Sequence, residues 1–153
     1  MKRYAAILAV VALCSSVTVN SAPRKAHACK LSVRDVATQF FDTFYIKKQV
    51  RTAFETWVVP NYVQHNPAAA NGRDAAIAFL EPFFAGNPGM SYSIKRVIVD
   101  GNLAAVHSNG KFTPQDRGMA IVDIVRIENC KVVEHWDVVQ PVPEKSANDN
   151  GMF

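Results

Sequence analysis

The chain has 153 residues, and 49% of them are hydrophobic, which is enough for the core of one domain. Its formal net charge is +4, but Lys2, Arg3, Arg24 and Lys25 all lie within the first 28 residues, where no acidic residue occurs. The 125 residues that follow hold 13 basic residues, which is 17 less those four, and 13 acidic residues. This balance gives no reason to expect a nucleic-acid partner.

A secretory leader is predicted at residues 1–28. Lys2 and Arg3 precede an apolar run at residues 5–13, and Ala26-His27-Ala28 provides a small-x-small cleavage site. An apolar run of this length is far shorter than the roughly 20 residues that span a bilayer. We therefore expect an exported protein, periplasmic or secreted, with no membrane insertion after processing.

Two cysteines, Cys29 and Cys130, would remain after this cleavage. In an oxidising compartment they could form a disulfide, or they could stay as two independent thiols. Their separation in space decides between these alternatives, and the sequence does not give it.

Three helices are expected in the first half of the chain. Ser32 and Asp35 form a capping signature, and aromatic and aliphatic residues follow it at helical spacing up to Phe44. A second helical pattern begins at Val50 and is expected to stop at Pro60. A third follows Gly72, and Pro82 is expected to kink or shorten it.

Four strands are expected after Gly89. A hairpin turn at Asp100-Gly101 joins strands at 91–99 and 103–108, and a second hairpin covers residues 118–140 with its turn at Asn129-Cys130. Three helices followed by four mostly antiparallel strands predict an α+β domain at residues 29–140, with helices on one face of a curved sheet. Residues 141–153 are expected to be an extended tail.

Asp123 is the first candidate functional residue. It lies in the middle of a strand face whose other members are apolar, namely Met119, Ile121, Val125 and Ile127. A buried carboxylate is costly, so a chain that keeps one either pairs it or uses it. A two-residue turn at Asn129-Cys130 predicts that Asp123 pairs with Trp136. The same register predicts that His135 and Asp137 lie on the opposite face, at the surface or an interface.

His107 is the second candidate. The turn at Asp100-Gly101 predicts that Leu103, Ala105 and His107 share a face with Ile94 and Ile98. Two apolar strand faces that each carry one ionisable group are typical of a cavity with a few convergent polar groups.

The chain resembles the SnoaL-like polyketide cyclases and related aldol-condensation enzymes of the nuclear-transport-factor-2-like superfamily. The resemblance extends over about residues 32–140 and is carried by three motifs. These are Tyr62-Val63-Gln64-His65-Asn66-Pro67, then Val106-His107, then the hairpin Asp123-Ile-Val-Arg-Ile-Glu-Asn-Cys-Lys-Val-Val-Glu-His-Trp-Asp137. It implies a cone-shaped α+β barrel whose N-terminal helices pack on a curved, mostly antiparallel sheet.

The resemblance also implies a site. Asp123 would be the general acid/base, with His107 and His65 as further catalytic residues. Tyr62 and Asn66 would bind substrate, and the predicted pairing adds Trp136 as a wall of the cavity. Each of these residues also has a purely structural interpretation, such as a satisfied core histidine or a turn cap at Asn66-Pro67.

Two functions are compatible with these residues. One is a cofactor-free and metal-free enzyme that acts on a small apolar carbonyl compound by aldol-type condensation, cyclisation or isomerisation. The alternative is a non-catalytic module of the same fold that binds a small ligand or dimerises. A homodimer is expected in either case, because the outer face of the sheet would carry Val122, Ile124, Val133 and Val139.

Processing of the leader can be tested directly. Protein isolated from its native host should begin at Cys29 and should be found outside the cytoplasm, because the cleavage site ends at Ala28. Edman sequencing or mass spectrometry of the N-terminus measures this. Soluble cytosolic protein that still begins at Met1 would contradict it.

Overall fold

A computed structural model describes residues 30–153 of the chain. The predicted leader and Cys29 lie outside this range. Within it, no helix is both long enough and apolar enough to cross a membrane. Cys130 is disulfide-bonded, and the partner considered for it, Cys29, is one of the residues outside the described range.

The helices are close to those predicted. Helix α1, Val33–Phe41, begins at the expected capping box of Ser32 and Asp35 and continues into a π-helical turn at Asp42–Ile46. Helix α2 is Val50–Trp57. Helix α3, Arg73–Gly86, contains Pro82 without a break in the helix, so the predicted shortening was wrong.

Five strands form one open sheet. They are β1 Val58–Gln64, β2 Ser91–Asp100, β3 Leu103–Lys111, β4 Met119–Glu128 and β5 Lys131–Pro141, in the order β1-β5-β4-β3-β2. All neighbours are antiparallel except β1, which runs parallel to β5. Strand β1 was not predicted, because it starts directly at the end of α2 and contains Pro60, which an edge strand tolerates.

The core lies between the helices and the inner face of the sheet. Helix α1 packs across β2, β3 and β4. The core is unusually aromatic on the helical side, and its fully or almost fully buried rings are Phe40, Phe41, Phe44, Tyr45, Phe54 and Phe84. The inward residues of β3 are small by contrast, namely Ala104, Val106 and Ser108, so the helix can approach the sheet closely.

The β4–β5 hairpin corrects one sequence prediction. Glu128 pairs with Lys131 as expected, but a bulge at Val133 then shifts the register by one residue. Asp123 therefore pairs with Asp137, and Trp136 pairs with Ile124 on the outer face. The predicted pairing of Asp123 with Trp136 was wrong.

The same shift that turns Trp136 outward also reverses the predicted faces of His135, Asp137 and Val139. His135 and Asp137 lie on the inner face with Asp123, because directly paired strand residues project to the same side. Val139 pairs with Ile121 and so also leaves the outer face on which it was expected.

The β2–β3 hairpin corrects the prediction for His107. Ala104, Val106 and Ser108 alternate as buried residues along β3, so His107, which lies between two of them, projects from the opposite, outer face. Both alternating sets on β3 contain apolar residues, so the sequence pattern did not distinguish them. A second bulge, between Ile94 and Arg96, separates Ile94 from Ile98, which is exposed.

The C-terminal tail ends on this outer face. The ring of Phe153 stacks on His107 with a centroid distance of 5.5 Å, and Lys95 Nζ lies 5.4 Å from the Phe153 centroid. The tail has no regular secondary structure beyond Pro141.

Gly118 precedes β4 in a conformation that excludes side chains. Its φ is +87°, and a Cβ placed there would lie 2.6 Å from the carbonyl oxygen of Gly110. Gly118→Ala should therefore lower the free energy of unfolding by about 1–3 kcal/mol, measured by urea denaturation. Gly86→Ala is the matched control, because a Cβ there meets nothing within 4 Å, and it should not lower stability. Equal effects of the two substitutions would contradict the steric role of Gly118.

Candidate functional site

A cavity of about 110 Å³ lies between the helices and the inner face of the sheet. Its walls are apolar and largely aromatic, formed by Phe40, Phe41, Phe44, Phe54, Ala69, Ala76, Phe79, Leu80, Val125 and Val132. Phe79 is 54% exposed although it lines the cavity, so the cavity opens beside it. The polar groups converge at one end, and they are Tyr45, Tyr62, Gln64, Asn66, Asp123, His135 and Asp137. The described residues of the lining include two carboxylates and neither lysine nor arginine.

Asp123 lies at the centre of this polar end. It is 2% exposed, as its position on an apolar strand face predicted. Tyr45 Oη lies 3.0 Å from both carboxylate oxygens, and His135 Nε2 lies 3.0 Å from Oδ1. Burial raises the pKa of Asp123 above its ordinary value, and the nearby charge of Asp137 acts in the same direction. The hydrogen bonds from His135 and Tyr45 oppose this shift because they stabilise the carboxylate.

Tyr45 is supplied by the π-helical turn that follows α1. Such single turns occur often at functional sites, and this one holds the Tyr45 hydroxyl against Asp123. The Tyr45 ring also stacks on Tyr92, with centroids 3.9 Å apart and planes 2° from parallel. Burial, with Asp123 beside it, raises the pKa of Tyr45 well above its ordinary value, so the hydroxyl stays protonated and donates.

Strand β1 and the loop after it complete the polar end. Gln64 Oε1 lies 2.9 Å from His135 Nδ1, and Gln64 Nε2 donates to the hydroxyl of Tyr62 at 2.8 Å. Asn66 Nδ2 donates to both carboxylate oxygens of Asp137, at 2.8 and 3.0 Å. The two ionisable groups that β5 contributes to the cavity, His135 and Asp137, are thus each held by a side-chain amide.

The structure brings together three of the six residues singled out from the sequence. Asp123, Tyr62 and Asn66 line the cavity, whereas His65, His107 and Trp136 do not. His65 bonds to Glu134 at 2.8 Å and stacks on Trp136 at a centroid distance of 4.7 Å, outside the cavity.

Four polar residues of the cavity were missed, namely Tyr45, Gln64, His135 and Asp137. His135 and Asp137 lie two residues apart on β5 and therefore share a face. Their assignment to the inner face requires knowledge of the bulge at Val133, and no local sequence pattern marks that bulge. Tyr45 and Gln64 are brought to Asp123 only by tertiary packing.

Among residues 30–153, one group has the chemistry to hold a divalent metal ion. One ligating atom from each of Asp123, His135 and Asp137 lies within 4.8 Å of the others, and carboxylate with imidazole suits several transition metals. Each of these side chains also has a hydrogen-bond partner within the protein. Hydrogen bonds within the protein therefore provide each of the three side chains with a partner, without a metal ion.

The raised pKa of Asp123 makes stability depend on pH. Above the ordinary carboxyl pKa of 3.8, the unfolded chain loses this proton while the folded chain retains it, so unfolding becomes easier as pH rises. Asp123→Asn removes this effect. The free energy of unfolding of the variant should increase relative to that of the wild type as pH rises above about 4, by at most about 1.4 kcal/mol per pH unit.

Urea titrations of both proteins across this pH range measure the difference. His135, Asp137 and Tyr45 face Asp123 and are present in both proteins. The free energies of unfolding of the wild type and the variant are therefore subtracted at each pH. A difference that is constant with pH, or that shrinks as pH rises, would contradict a raised pKa.

Solved structures with the same fold support this description of the domain. A loop-truncation variant of IdmH, from Streptomyces antibioticus, shares 18% identity at a TM-score of 0.60, over 71% of this chain and 92% of its own. TsrD from Streptomyces laurentii shares 21% identity at 0.57, over 72% of this chain and 91% of its own. A protein assigned as a SnoaL-like polyketide cyclase, from Jannaschia sp. CCS1, shares 18% at 0.58, over 70% and 84%.

These TM-scores show a common fold, of the nuclear-transport-factor-2-like α+β class. At identities this low, the likeness shows the fold alone. No curated protein matches the chain in sequence. The family model described as the SnoaL-like domain matches residues 37–135, which include the β2–β3 hairpin, strand β4, the π-helical turn and strand β1. The chain therefore belongs to the SnoaL-like domain family, in which the polyketide cyclases are found.

Proposed function

We propose that the chain is an acid/base enzyme that acts on a small, uncharged carbonyl compound in an aldol-type condensation, cyclisation or isomerisation. The observation that carries the proposal is the buried carboxylate of Asp123, which lines a cavity and is hydrogen-bonded to His135 at 3.0 Å. A carboxylate kept in an apolar site is costly to stability, and a group with such a perturbed pKa in a cleft is a candidate acid/base.

The reaction begins with removal of a proton from the carbon next to the substrate carbonyl. Asp123 accepts the proton, the C–H electron pair forms a carbon–carbon double bond, and the π pair of the carbonyl moves onto its oxygen to give an enolate. The enolate carbon then forms a bond to a second carbonyl carbon, whose oxygen takes the proton back from Asp123. In an isomerisation the proton returns to a different carbon instead. Protons are conserved in both cases.

Tyr62 is the proposed donor to the enolate oxygen. It lines the cavity and is 4% exposed, and burial raises its pKa so that the hydroxyl stays protonated. A pre-positioned donor in a dry site stabilises negative charge that develops in the transition state. Among residues 30–153 the lining contains two carboxylates and no cationic lysine or arginine, so an anionic substrate is disfavoured there.

Two further expectations from the sequence complete the proposal. The reaction needs no cofactor or metal, since it requires only the transfer of one proton and the stabilisation of one oxygen. The enzyme is exported and works as a homodimer through the outer face of the sheet, where Val138 is 67% and Ile98 is 59% exposed.

Proton abstraction can be measured before the natural substrate is known. Small aryl ketones and β-diketones are incubated with the protein in D₂O, and loss of the signal from the hydrogens next to the carbonyl is followed by proton NMR. The wild type should accelerate this exchange. Asp123→Asn should lower the acceleration by about 10²–10⁴-fold, the usual contribution of a positioned base.

Asp149→Asn is the matched control, because Asp149 is exposed in the tail, and it should exchange at the wild-type rate. Exchange that is equally fast in Asp123→Asn and the wild type would refute the role of Asp123. Tight binding of these ketones with no exchange by any variant would instead support a ligand-binding module.

A further inference from the structure

We propose that Gln64 is the positioning residue of this site: it holds His135 with a hydrogen on Nδ1, so that Nε2 shares one proton with Asp123. The proposal rests on the proposed function and adds to it the residue that orders the acid/base pair. Gln64 does not contact Asp123 and would act through His135 and Tyr62.

Strand pairing puts Gln64 beside His135. Strand β1 runs parallel to β5 with Gln64 in register with His135. The backbone on both sides of the Gln64 side chain is held, because Gln64 N–H donates to Asn71 Oδ1 at 2.8 Å and His65 N–H donates to the His135 carbonyl at 2.9 Å. The side chain therefore starts from a fixed backbone position.

The orientation of the Gln64 amide is decided by a backbone group. Asn66 N–H donates to the Gln64 side chain at 2.9 Å, and a backbone N–H can only donate. The amide atom that faces it must therefore be the oxygen, since a flipped amide would place two donors against each other. The same Oε1 atom lies 2.9 Å from His135 Nδ1.

This orientation fixes the imidazole. An amide oxygen only accepts, so the His135 nitrogen that faces it must carry a hydrogen. His135 Nε2 is then free to face Asp123 Oδ1 at 3.0 Å. With Nδ1 already protonated, the pair holds one proton between Nε2 and Oδ1, as imidazolium with carboxylate or as neutral imidazole with carboxylic acid.

The other end of the same amide orders Tyr62. Gln64 Nε2 donates to the Tyr62 hydroxyl oxygen at 2.8 Å, so that oxygen is the acceptor and its own proton lies elsewhere. Among residues 30–153, no acceptor for that proton lies within hydrogen-bond distance. The Tyr62 proton is thus left for a ligand in the cavity, as the proposed donor role requires.

Several titratable groups surround His135 and can influence its protonation. Asp123 faces it from β4, Asp137 shares its strand and lines the same cavity, and the Tyr62 ring lies 6.4 Å away between centroids. Tyr45 reaches the ring only through Asp123.

The hydrogen on Nδ1 can be observed directly. Nitrogen-15 NMR of the labelled protein distinguishes protonated from unprotonated imidazole nitrogens. In the wild type, Nδ1 of His135 should stay protonated at every pH at which the protein is folded. In Gln64→Leu the acceptor is gone, and at alkaline pH the hydrogen should move to Nε2, where the Asp123 carboxylate accepts it. Gln64→Glu retains an acceptor oxygen and should keep the hydrogen on Nδ1.

Turnover in the deuterium-exchange assay gives the second measurement. Gln64→Leu should lower the exchange rate by about 10- to 100-fold, the effect expected when one hydrogen bond to a charged group is lost. Gln64→Glu should recover a larger part of the rate than Gln64→Leu. Gln39→Leu, a change of the same type at an exposed position of α1, should behave as the wild type.

The outcomes separate this proposal from the proposed function. An unprotonated Nδ1 in the wild type overturns the role of Gln64 whether or not any variant folds, and it leaves the role of Asp123 intact if Asp123→Asn still loses exchange. A protonated Nδ1 with no exchange activity supports the positioning role and refutes the proposed reaction. Unchanged tautomer and rate in folded Gln64→Leu also overturn the proposal.

Discussion

The carboxylate of Asp123, buried on an apolar strand face, is the constraint around which the cavity is organised. An ionised carboxylate without partners would be too costly to keep at this depth. The fold supplies partners from two different elements, because the π-helical turn brings Tyr45 and β5 brings His135. Desolvation still dominates and the pKa of Asp123 stays raised. The hydrogen bonds therefore offset part, but not all, of the cost of burying this carboxylate.

A single bulge in β5 determines which residues meet this carboxylate. Because strand side chains alternate with period 2, one extra residue moves every later side chain to the other face. The extra residue at Val133 brings His135 and Asp137 into the cavity and sends Trp136 outward. Without it the inner face would carry the indole of Trp136 beside Asp123 in place of the imidazole of His135, so the Asp123–His135 pair depends on this irregularity.

The parallel edge strand β1 and the loop after it fix the positions of the β5 side chains in the cavity. Within residues 30–153, its pairing with β5 is the one parallel pairing in an otherwise antiparallel sheet. It brings the side-chain amide of Gln64 against His135, and the loop after it brings Asn66 against Asp137. These amides thus hold the two ionisable side chains that β5 contributes to the cavity, His135 and Asp137. The aromatic rings of α1, the π-helical turn and α2 exclude water from the other side, which strengthens each polar contact within the cavity.

The sequence by itself determined the α+β class, the three helices, both hairpins with their turns, and the burial of Asp123. These features follow from local patterns, since capping residues, helical spacing, turn chemistry and period-2 alternation each act over a few neighbouring residues. Tertiary structure alone decided strand β1, the bulge at Val133, the outward face of His107, and the meeting of Tyr45 and Gln64 with the Asp123–His135 pair. Each of these features depends on how elements that are distant in sequence pack against one another. A local pattern that is apolar on both faces, as on β3, does not indicate which face packs against the helices.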